Sequence, residues 1–207
     1  AQGVSLGALI QGIDIADRSY AGGRLDWLTP FSLLTGVSLI FGYALLGATW
    51  LVMKTEGELQ DKARKYAMIT GLITLGLVGV VSIATPFLDT EYHYRWFEGA
   101  NLIYSVVVPF LMAACAAILF YGLKQKKDIR PFFAAHGIFL LCYIGIGISF
   151  YPRMIPPDLT IWQAAAPDKS LGFLLIGAAF LIPIILCYTA YSYWVFRGKV
   201  GENEGYH

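Results

Sequence analysis

The sequence predicts an all-α fold, a polytopic bundle of transmembrane helices, and three observations predict it. Hydrophobic residues make up 57% of the 207 and charged residues 14%. With a mean hydropathy of +0.61, that balance excludes an ordinary soluble domain. The apolar residues gather in five uncharged segments at about 30–53, 66–87, 99–123, 131–151 and 170–196, each long enough for a hydrocarbon core of about 30 Å. The charges between them alternate in bias from one turn to the next, as loops on opposite sides of a bilayer do. The five spans read as one transmembrane domain over residues 1–207, with a shorter helix at 1–13.

Ala1 to Ile13 is uncharged but too short to cross a membrane, and it lacks the basic start of a signal peptide. It reads as the tail of a helix that begins before Ala1, so the sequence corresponds to the C-terminal part of a longer protein. Asp14 to Asp26 is a polar loop with Asp14, Asp17, Arg18, Arg24 and Asp26. Thr29-Pro30 then supplies an N-cap followed by proline at the first helical position, with Trp27 as an interfacial aromatic. The first span has 24 uncharged residues from Pro30 to Met53, about 36 Å at 1.5 Å per residue, and Trp50 marks its far interface.

The turn GATWLVMKTEGELQDKARKYA, Gly47 to Ala67, joins the first two spans. Lys54, Glu56, Glu58, Asp61, Lys62, Arg64 and Lys65 form a charged cap that fixes the ends of both helices at the membrane surface. Thr55 and Glu58 have capping-box spacing, which predicts a new helix from near Glu56. The second span ends at Pro86. An acidic loop follows with Asp89, Glu91, His93, Arg95 and Glu98, and with Tyr92, Tyr94 and Trp96 as belt aromatics. The Lys124 to Arg130 turn is strongly basic, Pro131 opens the fourth span, and the loop PRMIPPDLTIWQAAAPDK reads as folded on the membrane surface. The tail is RGKVGENEGYH.

Ten of the 15 Lys and Arg fall on the side holding the Lys54–Lys65 turn, the Lys124–Arg130 turn and the tail, and five on the other. The positive-inside rule then places that side and the C-terminus in the cytoplasm. The net formal charge of only +1 gives no basic field for nucleic acid.

Chemistry-bearing residues are few. The spans contain no Asp, Glu, Lys or Arg, which argues against a proton pump, an ion-coupled carrier or alternating access. Pro109 and Pro183 interrupt the third and fifth spans and read as packing kinks. Cys115, Cys142 and Cys187 lie in apolar segments without C-x-x-C spacing and read as small buried residues. His136 is the one histidine within a span, with no histidine or methionine mate at matching depth. Tyr104, Tyr143, Tyr188 and Thr189 suit helix bridging before a water chain. Small pairs four apart (Ala44 and Ala48, Ala113 and Ala117, Gly145 and Ser149) suit close helix packing.

Three stretches carry a family resemblance: GYALLGATWLVMKTEGELQDKARKYA (Gly42 to Ala67), PPDLTIWQAAAPDKSLGFLLIGAAFLIPIILCYTAYSYWVFRGKV (Pro156 to Val200), and the ending EGYH. They resemble subunit II of cytochrome bd-type quinol oxidases, nearest the cyanide-insensitive branch. The resemblance implies a respiratory complex in the bacterial cytoplasmic (inner) membrane that oxidises quinol and reduces dioxygen to water. It further implies a heterodimer with a subunit I that holds two b haems, either haem d or a third haem b, and the quinol-oxidising loop. Subunit II is then a scaffold with a proposed share in proton uptake. The acidic residue proposed for that share belongs to N-terminal helices not found here, so no catalytic, cofactor-binding or metal-binding residue is carried onto this chain. A small-solute permease and an assembly subunit of another membrane complex are the alternative readings.

Overall fold

A computed structural model describes residues 1–16, 19–88, 96, 102–156 and 159–199. Helix α1 (Gln2–Gln11) is followed by a minimal hairpin of β1 (Ile15–Ala16) and β2 (Ser19–Tyr20). Four long helices come next: α2 (Pro30–Lys54), α3 (Gly57–Ala84, continued by a 3₁₀ turn at Thr85–Phe87), α4 (Leu102–Lys124) and α5 (Arg130–Phe150). Antiparallel β3 (Arg153–Ile155) and β4 (Leu159–Thr160), short helix α6 (Ile161–Ala164) and long helix α7 (Asp168–Val195) complete the described chain. Five of these helices are long and apolar enough to cross a membrane, as the sequence predicts. The loops before α2 and after α5 are folded, each around a two-stranded pair.

The start of α2 follows the sequence and adds to it. Thr29 accepts from the Ser32 amide at 3.0 Å, and the Ser32 hydroxyl accepts from the Thr29 amide at 2.9 Å, with Pro30 at the first helical position. This reciprocal cap contributes about 1 kcal/mol. The capping box expected from Thr55 and Glu58 does not form. Thr55 turns its hydroxyl back to the Leu51 carbonyl at 2.7 Å and closes α2, while the N-cap of α3 is Glu56. Gly57, at φ 65°, takes the left-handed conformation of the sharp turn. Gln60 spans the turn by donating 2.9 Å bonds to the Val52 and Thr55 carbonyls. Helix α3 therefore begins nine residues before the apolar segment at Tyr66, and its first turns carry Glu58, Asp61, Lys62, Arg64 and Lys65. The boundary expected for the third span at Gly99 lies outside the described residues, as do His93 and the acidic-loop side chains other than Trp96.

The buried core joins one end of α2–α5: Leu45, Ala48 and Val52, Ala63 and Ala67, Leu119 and Leu123, and Ala134, Ala135 and Ile138. Lipid is as apolar as these side chains, so close packing rather than exclusion from water holds them together. Alanines bring the backbones near, and Leu45, Leu119 and Ile138 fill the space with almost no exposure. At the other end α1 runs antiparallel against α2. Gly7 meets Ser32 and Thr35, and Thr35 donates its hydroxyl to the Gly3 carbonyl at 2.8 Å.

The small-residue pairs divide. Ala48 and Ser149 are buried, whereas Ala44, Ala113 and Ala117 face outward in this chain. Cys115 and Cys142 are half-buried, but Cys187 is exposed, contrary to the expected burial, because none of α7 is buried against the other helices. Tyr143 and Tyr188 are 77% and 72% exposed and bridge no pair of helices among the described residues. The Tyr104 side chain lies outside the described residues.

Candidate functional site

The cluster most tightly built from polar groups lies at the basic end of the bundle. Arg64, one helical turn before Ala67 on the packed face of α3, is only 8% exposed. Its guanidinium donates 3.2 Å bonds to the Lys126 and Lys127 carbonyls and pairs with the Asp128 carboxylate. The geometry of that turn explains why a fork is needed there. Lys126 has φ 53°, its amide donates to the Leu123 carbonyl, and the Lys127 amide donates to the Gly122 carbonyl at 2.9 Å. This is a Schellman ending with lysine where glycine is usual, at a strain of about 1 kcal/mol. Arg64 binds the carbonyls that the strained turn presents.

Asp128 is shared. Its second oxygen accepts from Lys199 Nζ at 2.5 Å, and Lys199 also lies 3.8 Å from Glu56. Lys54 donates to the carbonyls of Phe196 (2.6 Å) and Gly198 (3.4 Å) at the end of α7, and lies 5.2 Å over the Trp50 ring. Partial burial pushes the Asp128 carboxyl up, but the Lys199 and Arg64 bonds and charges outweigh it and hold the group below the usual carboxylate value. A carboxylate fixed between two cations is a clamp, ill suited to take a proton near neutral pH. Because its folded value is depressed, its stabilisation is present above the ordinary value of about 3.9 and is lost as pH falls through the lowered one. The difference in thermal midpoint between native protein and Asp128→Asn should stay constant from neutrality down to about pH 5 and vanish in stronger acid.

The other end has a cavity of about 300 Å³ between the end of α1 and the start of α2. Gln11, Asp14, Tyr20, Asp26, Trp27 and Thr29 line it. Its groups are engaged in holding the loop: Thr29 donates to Gln11, Tyr20 to the Gly23 carbonyl at 2.7 Å, Trp27 to the Arg24 carbonyl at 2.8 Å, and Gly23 to Asp26. Partial burial and the Asp26 and Asp14 charges raise the Tyr20 phenol above its usual range. No acid–base or nucleophilic pair follows from this arrangement.

The comparisons with known proteins decide the family. The family model described as cytochrome bd terminal oxidase subunit II matches residues 1–196. The chain belongs to this family. Cytochrome bd-I ubiquinol oxidase subunit 2 of Escherichia coli K12 is 28% identical over 98% of the chain and 62% of its own length. Cytochrome bd ubiquinol oxidase subunit 2 of Bacillus subtilis is 28% identical over 98% of the chain and 60% of its own length. The probable cytochrome oxidase subunit 2 of Haemophilus influenzae is 27% identical over 97% of the chain and 62% of its own length. The chain thus spans about three fifths of the length of the curated relatives it matches.

In this subunit II family member the Gly42–Ala67 stretch is the α2–α3 hairpin, which supplies half of the buried core and Arg64. The sequence marks Arg64 and Asp128 only as part of charged turns. The missed signal is helical spacing: Arg64 shares a face with Ala67, Gly71 and Thr74, all buried on α3. Asp128 is the one acid in the Lys124–Arg130 turn, which is where a buried arginine finds its counter-charge.

Proposed function

We propose that the chain acts as the subunit II part of a bd-type terminal oxidase in a bacterial cytoplasmic membrane, as a single transmembrane domain paired with a subunit I. That partner carries the b haems and haem d, or a third haem b, oxidises quinol and reduces dioxygen to water. The family match over residues 1–196 carries this reading and favours it over a solute permease. In this reading the chain works among membrane lipid and the quinol pool, with no nucleic acid partner.

The described residues do not fit a haem. His136, the one histidine among them, is exposed on α5, with its ring 4.1 Å from the Phe132 ring and Nδ1 2.9 Å from the Phe132 carbonyl. An axial ligand has to face the iron in a pocket between helices, whereas Met68 and Met112 pack against the buried core. The chain's part in this reading is to shape and hold its partner. His136→Ala in the assembled complex is expected to leave every haem absorbance band in place. Loss of one band, with both subunits confirmed present, would assign a cofactor to this chain.

Native purification, identification of the co-purifying chain and a reduced-minus-oxidised spectrum test the main reading. Recovery with a haem-bearing membrane subunit and quinol-dependent oxygen uptake supports it; a haem-free preparation that transports solute refutes it. The ten-to-five distribution of Lys and Arg supports a cytoplasmic Lys54–Lys65 turn and tail. A cysteine at Glu58 should be labelled only from inside and one at Asp158 only from outside; the reverse pattern would invert the topology.

A further inference from the structure

Helix α7 has 28 residues and buries none of them. Leu175, Ile182 and Leu186 along its length are each more than half exposed. Among the described residues, its side-chain links to α2–α5 gather at its last turn and the residues just beyond. Tyr193 meets Trp50 edge-on at 5.6 Å, Lys54 caps the terminal carbonyls of Phe196 and Gly198, and Lys199 reaches Asp128. Lys54 is a cation at a helix C-terminus, where the free carbonyls and the dipole favour positive charge. Asp128 is in turn held by the buried Arg64, so the end of α7 is tied to a fixed point of the core.

We propose that this cluster is a latch that fixes the basic end of the C-terminal helix to the four-helix core. Lys54 clasps the helix end, and Asp128 bridges Arg64 of the core to Lys199 of the tail. With the latch closed, the basic end of α7 has a defined position; with it open, that end is released from the core. Lys199 and Asp128 are each about one third exposed, so one bond alone holds weakly, and the strength lies in several bonds acting on one short segment. Salt weakens such a latch. Acid opens it only below the ordinary carboxylate range, since among the described residues Arg64, Lys199 and the nearby Glu56 are the charged groups in contact with the pair.

The test is a distance measurement in the full chain within its native membrane complex. Spin labels are placed at Lys62→Cys on α3 and Arg197→Cys after α7, with Cys115, Cys142 and Cys187 replaced by alanine. The latched protein should give one narrow distance distribution. Lys199→Gln leaves the Arg64–Asp128 pair intact, so the core still folds, and it should broaden the distribution; adding Lys54→Gln should broaden it further. A distribution unchanged in both the single and the double variant would show that α7 is held by other contacts, and would overturn the latch.

Discussion

Arg64→Ala is expected to lower stability by about 2–4 kcal/mol, the range for removing one partner of a largely buried ion pair. The loss has two sources. The Lys126 and Lys127 carbonyls lose their donors at a turn already strained by the left-handed Lys126, and Asp128 keeps Lys199 but loses its buried cation. Arg64→Lys should fall between the two, because an ammonium reaches the carboxylate but does not reproduce the fork to both carbonyls. Lys62→Ala is the contrast: its bond to Glu58 joins side chains 61% and 78% exposed, so its removal should shift stability by less than about 0.5 kcal/mol. Thermal midpoints of the purified complex in mild detergent compare the three. Equal midpoints for Arg64→Ala and Lys62→Ala would remove Arg64 from the structural role given to it.

Gly7→Ala should separate α1 from α2. A Cβ on Gly7 would stand 2.1 Å from Thr35 Oγ1 and 2.6 Å from Ser32 Cα. The Thr35 hydroxyl can rotate, but the Ser32 backbone cannot, so the helices must part. Thr35 then loses its bond to Gly3, and overpacking plus the lost bond should cost about 3 kcal/mol. Gly42→Ala faces a milder obstacle, the tip of the Phe139 ring at 2.7 Å. A ring can turn aside, so about 1 kcal/mol is expected there. Thermal midpoints again decide, and an equal loss at the two glycines would mean that α1 is not seated against α2 as described.

The tight α1–α2 contact was not legible in the sequence. Gly3 and Gly7 are four apart, but only a packed partner shows that Thr35 and Ser32 occupy the space their side chains would fill. The same limit applies to the small-residue pairs. Ala48 is buried and Ala44 is not, although both sit on the same helix at the favoured spacing. Spacing names a face, whereas the neighbour that covers it comes from elsewhere in the chain or outside it.

The sequence by itself determined the membrane class, the five spans, the Thr29-Pro30 helix start and the charged turns, because each depends on local composition and on the length of uncharged segments. The family resemblance too was carried by continuous stretches, and the match over residues 1–196 bears it out. Tertiary structure decided the rest. It turned Thr55 back onto α2 in place of a capping box, because Gln60 crosses the turn and Glu56 takes the N-cap. It buried Arg64, which a charge count places in water, and it left Cys187 exposed on a helix that buries none of its residues. A side chain's charge is a property of the residue, but its burial belongs to the surfaces brought against it, and those are set by contacts between residues far apart in the chain.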